Sequence, residues 1–163
     1  MGTPPDPARR PAPDVTGGLD PEVALARGPL AGVAFGRFRD LQVLGHGGMG
    51  TVYRAHDATL GRDVALKLLH ADDPRFASRL LLEARAQARI EHEHVCRIYE
   101  AGEHAGRPYI AMQLVAGQTL KQVAGELSLE QKLRLMRQVA EGVHAAHRVG
   151  LVHRDLKPGN VMV

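Results

Sequence analysis

The stretch His153-Arg154-Asp155-Leu156-Lys157-Pro158-Gly159-Asn160 carries more chemistry than any other part of the chain. A carboxylate, an ammonium and an amide fall between Asp155 and Asn160, and the apolar run Val161-Met162-Val163 follows directly. The adjacent Pro and Gly force this segment into a loop. Loops held by a rigid scaffold carry catalytic and binding groups. The octapeptide therefore predicts a catalytic loop and argues against a simple surface turn.

A helix is predicted just before this loop. Ser128-Leu129-Glu130-Gln131 has the form of a capping box, in which the first and fourth side chains satisfy each other's backbone N–H groups. Gly150 is a typical residue just beyond a helix C-terminus. One face of the predicted helix is marked by Leu133, Met136, Ala140, Val143 and His147.

The chain before this helix alternates between strand and helix patterns. Three strands are predicted over residues 38–44, 51–55 and 64–69, with a hairpin loop over 56–63, and they form an antiparallel meander. Asp73 and Pro74 predict a helix start, and the helix runs to about Arg89. Its expected inner face comprises Phe76, Leu80, Ala84 and Ala88.

Two more strands are predicted over residues 95–99 and 109–114, joined by a turn over 102–108. The order of three strands, a helix, two strands and a helix indicates an α+β fold.

The hexapeptide Gly45-His46-Gly47-Gly48-Met49-Gly50 has the pattern G-x-G-x-x-G. Glycines allow backbone N–H groups to approach phosphate oxygens closely. A dinucleotide-binding fingerprint would open a helix, whereas a strand-like run follows here. A Walker-type loop would continue with Lys, whereas Thr51 follows. A phosphate-covering hairpin and a merely flexible turn both remain open on the glycines alone.

Lys67 lies on a strand whose other residues are apolar. It shares one strand face with Ala65, which leaves room for a flat base and provides a charge for its phosphates. The alternative is a surface lysine with an apolar stem. A buried ammonium needs a carboxylate partner, and Glu83 in the predicted helix is the candidate. Glu83 has an alternative of its own, a surface pair with Arg79 one turn earlier.

The composition is that of an ordinary globular protein, with 163 residues, 44% hydrophobic and 24% charged residues and a net charge of +3. No basic run with interleaved aromatic residues is present, so nucleic-acid binding is not expected. The one cysteine, Cys96, predicts a reducing compartment and a small buried side chain. No apolar run is long enough to span a membrane. His92 with His94, and His144 with His147, lack the further ligands of a metal site.

Three stretches, taken in order, resemble the signature of eukaryotic-type (Hanks-type) Ser/Thr protein kinases as found in bacteria. They are Gly-Gly-Met-Gly, Gly-Arg-Asp-Val-Ala-Leu-Lys and Asp-Leu-Lys-Pro-Gly-Asn. The resemblance implies a two-lobed protein-kinase-like fold. Residues 1–34 are expected to be a disordered Pro/Gly-rich tail and residues 35–163 the kinase domain. Within that domain, residues 38–115 would be the small antiparallel-sheet lobe and residues 116–163 the beginning of the helical lobe.

The resemblance also implies a role for individual residues. Lys67 would bind the α- and β-phosphates of ATP while paired with Glu83, Asp155 would accept the proton of the substrate hydroxyl, Lys157 would neutralise the transferring phosphoryl group, and Asn160 would bind Mg²⁺. Met112 would be the gatekeeper residue. The nucleotide would otherwise be held by Leu44, Gly45, Gly47, Gly50, Val52, Ala65, Met162 and the backbones of Gln113 and Val115.

The activity implied is transfer of a phosphoryl group from ATP to Ser or Thr of a protein substrate in the cytoplasm. Lys157 resembles the Ser/Thr branch and argues against tyrosine kinases and small-molecule phosphotransferases. Arg154 resembles kinases that are activated by phosphorylation, which would occur in trans within a kinase dimer. The family pattern continues with Asp-Phe-Gly and further helices beyond Val163. We therefore expect a C-terminally incomplete domain with little activity alone. The alternative is a truncated nucleotide-binding or regulatory pseudokinase-like module.

Overall fold

The computed structural model describes residues 32–48, 50–70 and 74–163, and the side chains of all of these except residues 74–77. The predicted tail up to residue 31, Met49 of the glycine hexapeptide, the Asp73 helix cap and the side chain of Phe76 therefore lie outside the described residues. Among the described residues, no helix combines the length and the apolar character needed to cross a bilayer.

A five-stranded antiparallel sheet forms the first part of the structure. Its strands are β1 (Phe38–Gly47), β2 (Gly50–Asp57), β3 (Arg62–Leu69), β4 (Ile98–His104) and β5 (Arg107–Gln113). Their spatial order is β1-β2-β3-β5-β4, so the predicted meander of the first three strands is confirmed. Together with the helices the sheet gives the predicted α+β fold.

The two faces of the sheet bury different residues because successive side chains of a strand alternate between faces. On the outer face, Tyr53, Leu66 and Leu68 pack with Phe35 and Phe38 in a continuous apolar cluster. On the inner face, Leu69 and Ile110 pack against Ala84 of helix α1 (Pro74–Gln87). Ala65 and Lys67 alternate with the outer-face leucines and therefore belong to the inner face.

The strand predicted over residues 95–99 begins later than expected, at Ile98. The chain turns before that point, and the Val95 N–H donates to the His92 carbonyl at 3.0 Å. The hairpin turn is also shorter than predicted. Ala105 and Gly106 both have positive φ, 48° and 72°, as a two-residue hairpin turn requires. The strand predicted over 109–114 consequently spans Arg107–Gln113.

Helix α1 ends at Gln87, and Ala88, predicted on its inner face, is exposed beyond that end. A short helix α2 (Leu120–Val123) and the long helix α3 (Leu129–Arg148) follow the sheet. The capping box of α3 is confirmed, since Ser128 and Gln131 satisfy each other's backbone N–H groups.

The end of α3 also follows the prediction. Gly150 has a φ of 78°, and the Leu151 N–H donates to the Ala146 carbonyl at 3.0 Å. This 6→1 bond, with the bond from the Gly150 N–H to the His147 carbonyl, is a Schellman motif.

The face of α3 marked by the sequence is not the face buried in the structure. Leu133 and Met136 are 63% and 51% exposed, Ala140 and His147 are exposed, and Val143 is half-buried. The buried residues are instead Gly142 and Ala146. Within the described residues, α3 packs through Gly142 against the loop at His94 and Val95, which accounts for the difference.

Candidate active site

The sheet register brings the predicted nucleotide residues into one row. Gly45 of β1 lies opposite Val52 of β2, which lies opposite Lys67 of β3. Neighbouring strands are separated by about 4.8 Å, so this row spans about 10 Å, the scale of a nucleotide. Ala65, on the same face two residues before Lys67, pairs with Met112 of β5. Around Lys67, the inner face of the sheet thus carries small or aliphatic side chains, whereas Arg54, opposite Ala65 on the same face, pairs with Asp63.

The glycine hairpin closes where Gly47 pairs with Gly50. Gly50 has a φ of 151°, and a Cβ atom at this position would lie 2.1 Å from the Leu68 carbonyl oxygen. Within the part of the chain that the structure describes, Gly45 has no atom within 4 Å of such a Cβ position, and Gly47 meets only the Gly50 carbonyl oxygen at 3.8 Å. Gly50 is therefore required for packing against β3, whereas the other two leave the backbone uncovered. Leu44, predicted beside the nucleotide, is 54% exposed.

Lys67 is half-buried, and burial lowers the pKa of its ammonium group. The charge that opposes this shift is the Asp155 carboxylate, which raises the pKa of Lys67 by electrostatic attraction. The structure therefore brings together two predicted site residues that lie 88 positions apart.

The expected pair between Lys67 and Glu83 is not formed in this structure. Glu83 instead pairs with Arg79 of the preceding turn, at 3.7 Å from Nε to Oε1, and its side chain is 55% exposed. Helix α1 packs on the sheet through Leu80, Leu81 and Ala84, which leaves Glu83 directed toward solvent. The surface alternative weighed for Glu83 is the arrangement observed.

The loop at residues 153–160 gathers its polar side chains around Asp155. The Lys157 Nζ donates to both Asp155 carboxylate oxygens, at 3.0 and 2.8 Å. The Asn160 Nδ2 donates to the Asp155 carbonyl at 2.8 Å and to its Oδ2 at 3.2 Å. The hydrogen bond from Lys157 is the main cause that lowers the pKa of Asp155. Arg154 has a φ of 60°, a left-handed conformation that non-glycine residues rarely adopt outside constrained sites.

The end of β5 is fastened to the loop before β4. The Gln113 N–H donates to the Arg97 carbonyl at 2.8 Å, and the Gln113 carbonyl accepts a hydrogen bond from the Cys96 thiol at 3.6 Å. Cys96 is half-buried, and burial raises the pKa of its thiol. The family resemblance assigns the backbones of Gln113 and Val115 to the hinge, the segment between the two lobes that binds adenine. Val115 is half-buried just after the strand. Cys96 is thus only half-buried, whereas the sequence predicts a buried side chain, and its raised pKa favours the protonated thiol.

Residues after the loop return to the segment that follows β5. Thr119 and Met162 form an antiparallel bridge, and Val163 and Gln118 exchange two backbone hydrogen bonds at 2.8 and 3.1 Å. Gly117 allows this approach, since a Cβ atom there would lie 2.3 Å from the Val163 carbonyl oxygen. Met162 is thereby fixed beside the segment that leaves the hinge.

The polar groups of the loop suit a metal ion only in part. The amide nitrogen of Asn160 is anchored to Asp155, which leaves the amide oxygen as a ligand of the kind that Mg²⁺ prefers. Within residues 32–48, 50–70 and 74–163, no three His, Cys, Asp or Glu side chains come close enough together to hold a metal ion. This arrangement fits a Mg²⁺ ion that takes most of its ligands from phosphates and water.

Sequence reasoning missed two contacts of this region. It did not foresee the bond from the Cys96 thiol to the Gln113 carbonyl, because the hinge and residue 96 come together only through the order of the strands. It also missed a contact between His46 Nδ1 and Thr51 Oγ1, at 3.1 Å. Placing the end of the glycine hairpin between Gly47 and Gly50 would have predicted that pair.

Comparison with known proteins identifies the family. The protein kinase domain family matches residues 38–163, which is most of the chain. The chain therefore belongs to the protein kinase family, and the resemblance to bacterial Hanks-type Ser/Thr kinases is confirmed.

The relatives include the serine/threonine-protein kinase pkn2 of Myxococcus xanthus, 43% identical over 133 residues that cover 78% of this chain and 16% of pkn2. The serine/threonine-protein kinase PknA of Mycobacterium tuberculosis is 40% identical over 147 residues, 83% of this chain and 34% of PknA. The crystal structure of the Mycobacterium tuberculosis PknI kinase domain matches with a TM-score of 0.71 and 31% identity, over 83% of this chain and 58% of that domain. The chain thus spans a minor part of these curated relatives' length.

Proposed function

We propose that these residues form the nucleotide-binding and catalytic-loop part of an ATP-dependent protein Ser/Thr kinase. The observation that supports the proposal is that the Asp155 carboxylate of the loop acts electrostatically on the half-buried Lys67 ammonium group of the sheet and opposes the effect of burial on its pKa. Phosphoryl transfer depends on positioning and on charge neutralisation, and these two groups serve both purposes.

Each side chain has a definite task in this proposal. Lys67 neutralises the α- and β-phosphates, and Asp155 orients the substrate hydroxyl and accepts its proton. Lys157, now bonded to both Asp155 oxygens, shifts toward the γ-phosphoryl group when nucleotide is present. Asn160 would hold Mg²⁺ through its amide oxygen, and the ion would neutralise phosphate charge as it does in this family.

Glu83 would act only after helix α1 changes its position. In kinases the lysine of β3 must pair with a glutamate of this helix for activity. The observed pair between Glu83 and Arg79 therefore supports an open, inactive arrangement, in which a rotation of α1 would exchange Arg79 for Lys67.

The relatives' names support a protein substrate with a Ser or Thr hydroxyl, and they disfavour the alternative of a regulatory module. The reaction would take place in the cytoplasm, where ATP and Mg²⁺ are available. We further propose that the small lobe ends near Val115. Activation would occur by trans-autophosphorylation within a kinase dimer.

The test uses a chimera in which residues 38–163 replace the matching segment of the PknA relative. We expect it to transfer the γ-phosphoryl group of ATP to Ser- and Thr-containing peptides. Asp155→Asn should lower kcat by about 10² to 10⁴-fold, the contribution of a positioned acid–base group. Lys67→Met should also abolish most of the activity because the phosphates lose their cation.

Lys121→Met is the matched control, because Lys121 is an exposed lysine of helix α2. It should keep the full rate. Near-normal turnover in Asp155→Asn or Lys67→Met, with each variant folded by circular dichroism, would refute the assigned roles.

A further inference from the structure

A contact between two side chains joins the two strands of the glycine hairpin. Neither side chain has a role in the proposed phosphoryl transfer. His46 lies opposite Thr51 in the ladder between β1 and β2. The His46 Nδ1 is 3.1 Å from the Thr51 Oγ1, which is hydrogen-bond distance. One residue further on, the ladder ends at the pair Gly47–Gly50. The contact therefore holds the strands together at the base of the glycine turn.

The contact lies on the outer face of the sheet. Thr51 is 7% exposed and follows the alternation of Tyr53 and Ala55, which belong to the outer-face cluster. Directly opposed residues of an antiparallel pair direct their side chains to the same face. The His46 imidazole is therefore on the face opposite to Lys67, and it is not placed to contact phosphates.

Apart from the backbone ladder with β2, few contacts among the described residues pack against the glycines on the β1 side of the hairpin. Gly45 and Gly48 have no atom within 4 Å of the position that a Cβ atom would take, whereas Gly50 on the β2 side packs tightly against Leu68. Glycine residues lose more conformational freedom on ordering than any other residue. A loop that is ordered before its ligand arrives binds that ligand more tightly, since the ordering cost is already met.

We propose that His46 is a positioning residue for the nucleotide: its bond to Thr51 pre-orders the backbone N–H groups of the glycine hairpin from the outer face. The inference rests on the proposed function, since it assumes that this hairpin covers phosphates. It assigns His46 an indirect effect on affinity and no contact with ATP.

The first experiment measures the dissociation constant of Mg·ATP for the 163-residue chain by calorimetry. His46→Ala and Thr51→Val should each weaken binding about two- to tenfold, the effect of one net hydrogen bond. The double variant should be no weaker than either single variant, because both remove the same bond. Thr51→Ser, which keeps the hydroxyl, should restore most of the affinity.

The control is His56→Ala. His56 also bonds a side chain on this sheet, Asp63 at 3.1 Å, but it lies outside the glycine hairpin. Its substitution should leave the dissociation constant unchanged. If His46→Ala weakens binding while Thr51→Val does not, His46 contacts the nucleotide directly and the proposal is wrong.

A second measurement needs no nucleotide and separates the two proposals. Amide hydrogen exchange over residues 45–52 should be faster in His46→Ala and Thr51→Val than in the unsubstituted chain. If the unsubstituted chain binds no ATP but the amides of these variants exchange faster, the proposed function fails, whereas the stabilisation of the hairpin by the His46–Thr51 bond is supported. Unchanged amide exchange in both variants would show that the His46–Thr51 bond does not order the hairpin.

Discussion

At the scale of single residues, the four glycines of the hairpin, Gly45, Gly47, Gly48 and Gly50, are not equivalent. Gly50 alone combines a positive φ with a Cβ position that collides with the backbone of the central strand β3, at 2.1 Å from the Leu68 carbonyl oxygen. That oxygen belongs to a paired strand and cannot move aside. We expect Gly50→Ala to lower the free energy of unfolding by about 3 kcal/mol, measured by urea denaturation.

Gly48→Ala is the comparison within the same hairpin, because no atom of the described residues lies within 4 Å of its Cβ position. It should change the free energy of unfolding by less than about 1 kcal/mol. Equal losses in the two variants would mean that the clash with β3 is not the cause. The G-x-G-x-x-G pattern gives Gly45, Gly47 and Gly50 the same role, since only the register of β2 against β3 distinguishes Gly50.

At the scale of elements, one glycine decides how closely helix α3 approaches the loop before β4. A Cβ atom on Gly142 would lie 2.9 Å from the His94 carbonyl oxygen and 3.3 Å from Val95 Cγ2. Alanine normally stabilises a helix interior by about 1 kcal/mol relative to glycine. We expect the contact to outweigh this gain, so that Gly142→Ala destabilises the chain in thermal unfolding.

Gly125→Ala serves as the matched substitution, since its Cβ position has no neighbour within 4 Å among the residues described. It should leave the melting temperature unchanged or slightly raised. A higher melting temperature for Gly142→Ala would show that the loop at His94 yields easily and that α3 is held by other contacts.

The elements also show where sequence reasoning succeeds and where it fails. The ends of α3 are predictable because Ser128, Gln131 and Gly150 act locally, through backbone groups within one turn. The start of β4 and the buried face of α3 are not, because both depend on the loop around His94. That loop brings together residues distant in sequence, so no local pattern records its conformation. The prediction of a Lys67–Glu83 pair was wrong for a similar reason, because the orientation of α1 is set by its packing on the sheet.

At the scale of the whole molecule, a polar network fastens the segment before β1 across the outer face of the sheet. The Arg37 Nε donates to Asp57 Oδ2 at 3.2 Å, and its Nη2 donates to Glu100 of β4. Glu100 also accepts from the Tyr109 hydroxyl of β5. Asp57 is 1% exposed and further accepts from the N–H groups of Thr59 and Leu60. Residues before the first strand are therefore integral to the folded unit.

Because of this network, the free energy of unfolding depends on pH in the alkaline range, through the phenol of Tyr109. Burial, followed by the hydrogen bond and charge of Glu100, raises the pKa of Tyr109 from 10.0 to about 12. Above pH 10 the unfolded chain releases the phenolic proton while the folded chain keeps it, so the free energy of unfolding falls as pH rises. The stabilisation is complete below pH 10 and is lost by about pH 12, with a slope of at most about 1.4 kcal/mol per pH unit.

Urea denaturation of the chain and of Tyr109→Phe between these pH values measures the difference. Tyr109→Phe should lose this part of the slope, whereas Tyr99→Phe, whose ring stacks with Arg62 at 3.6 Å, should retain it. Parallel slopes for the chain and Tyr109→Phe would show that the phenol does not keep its proton through Glu100.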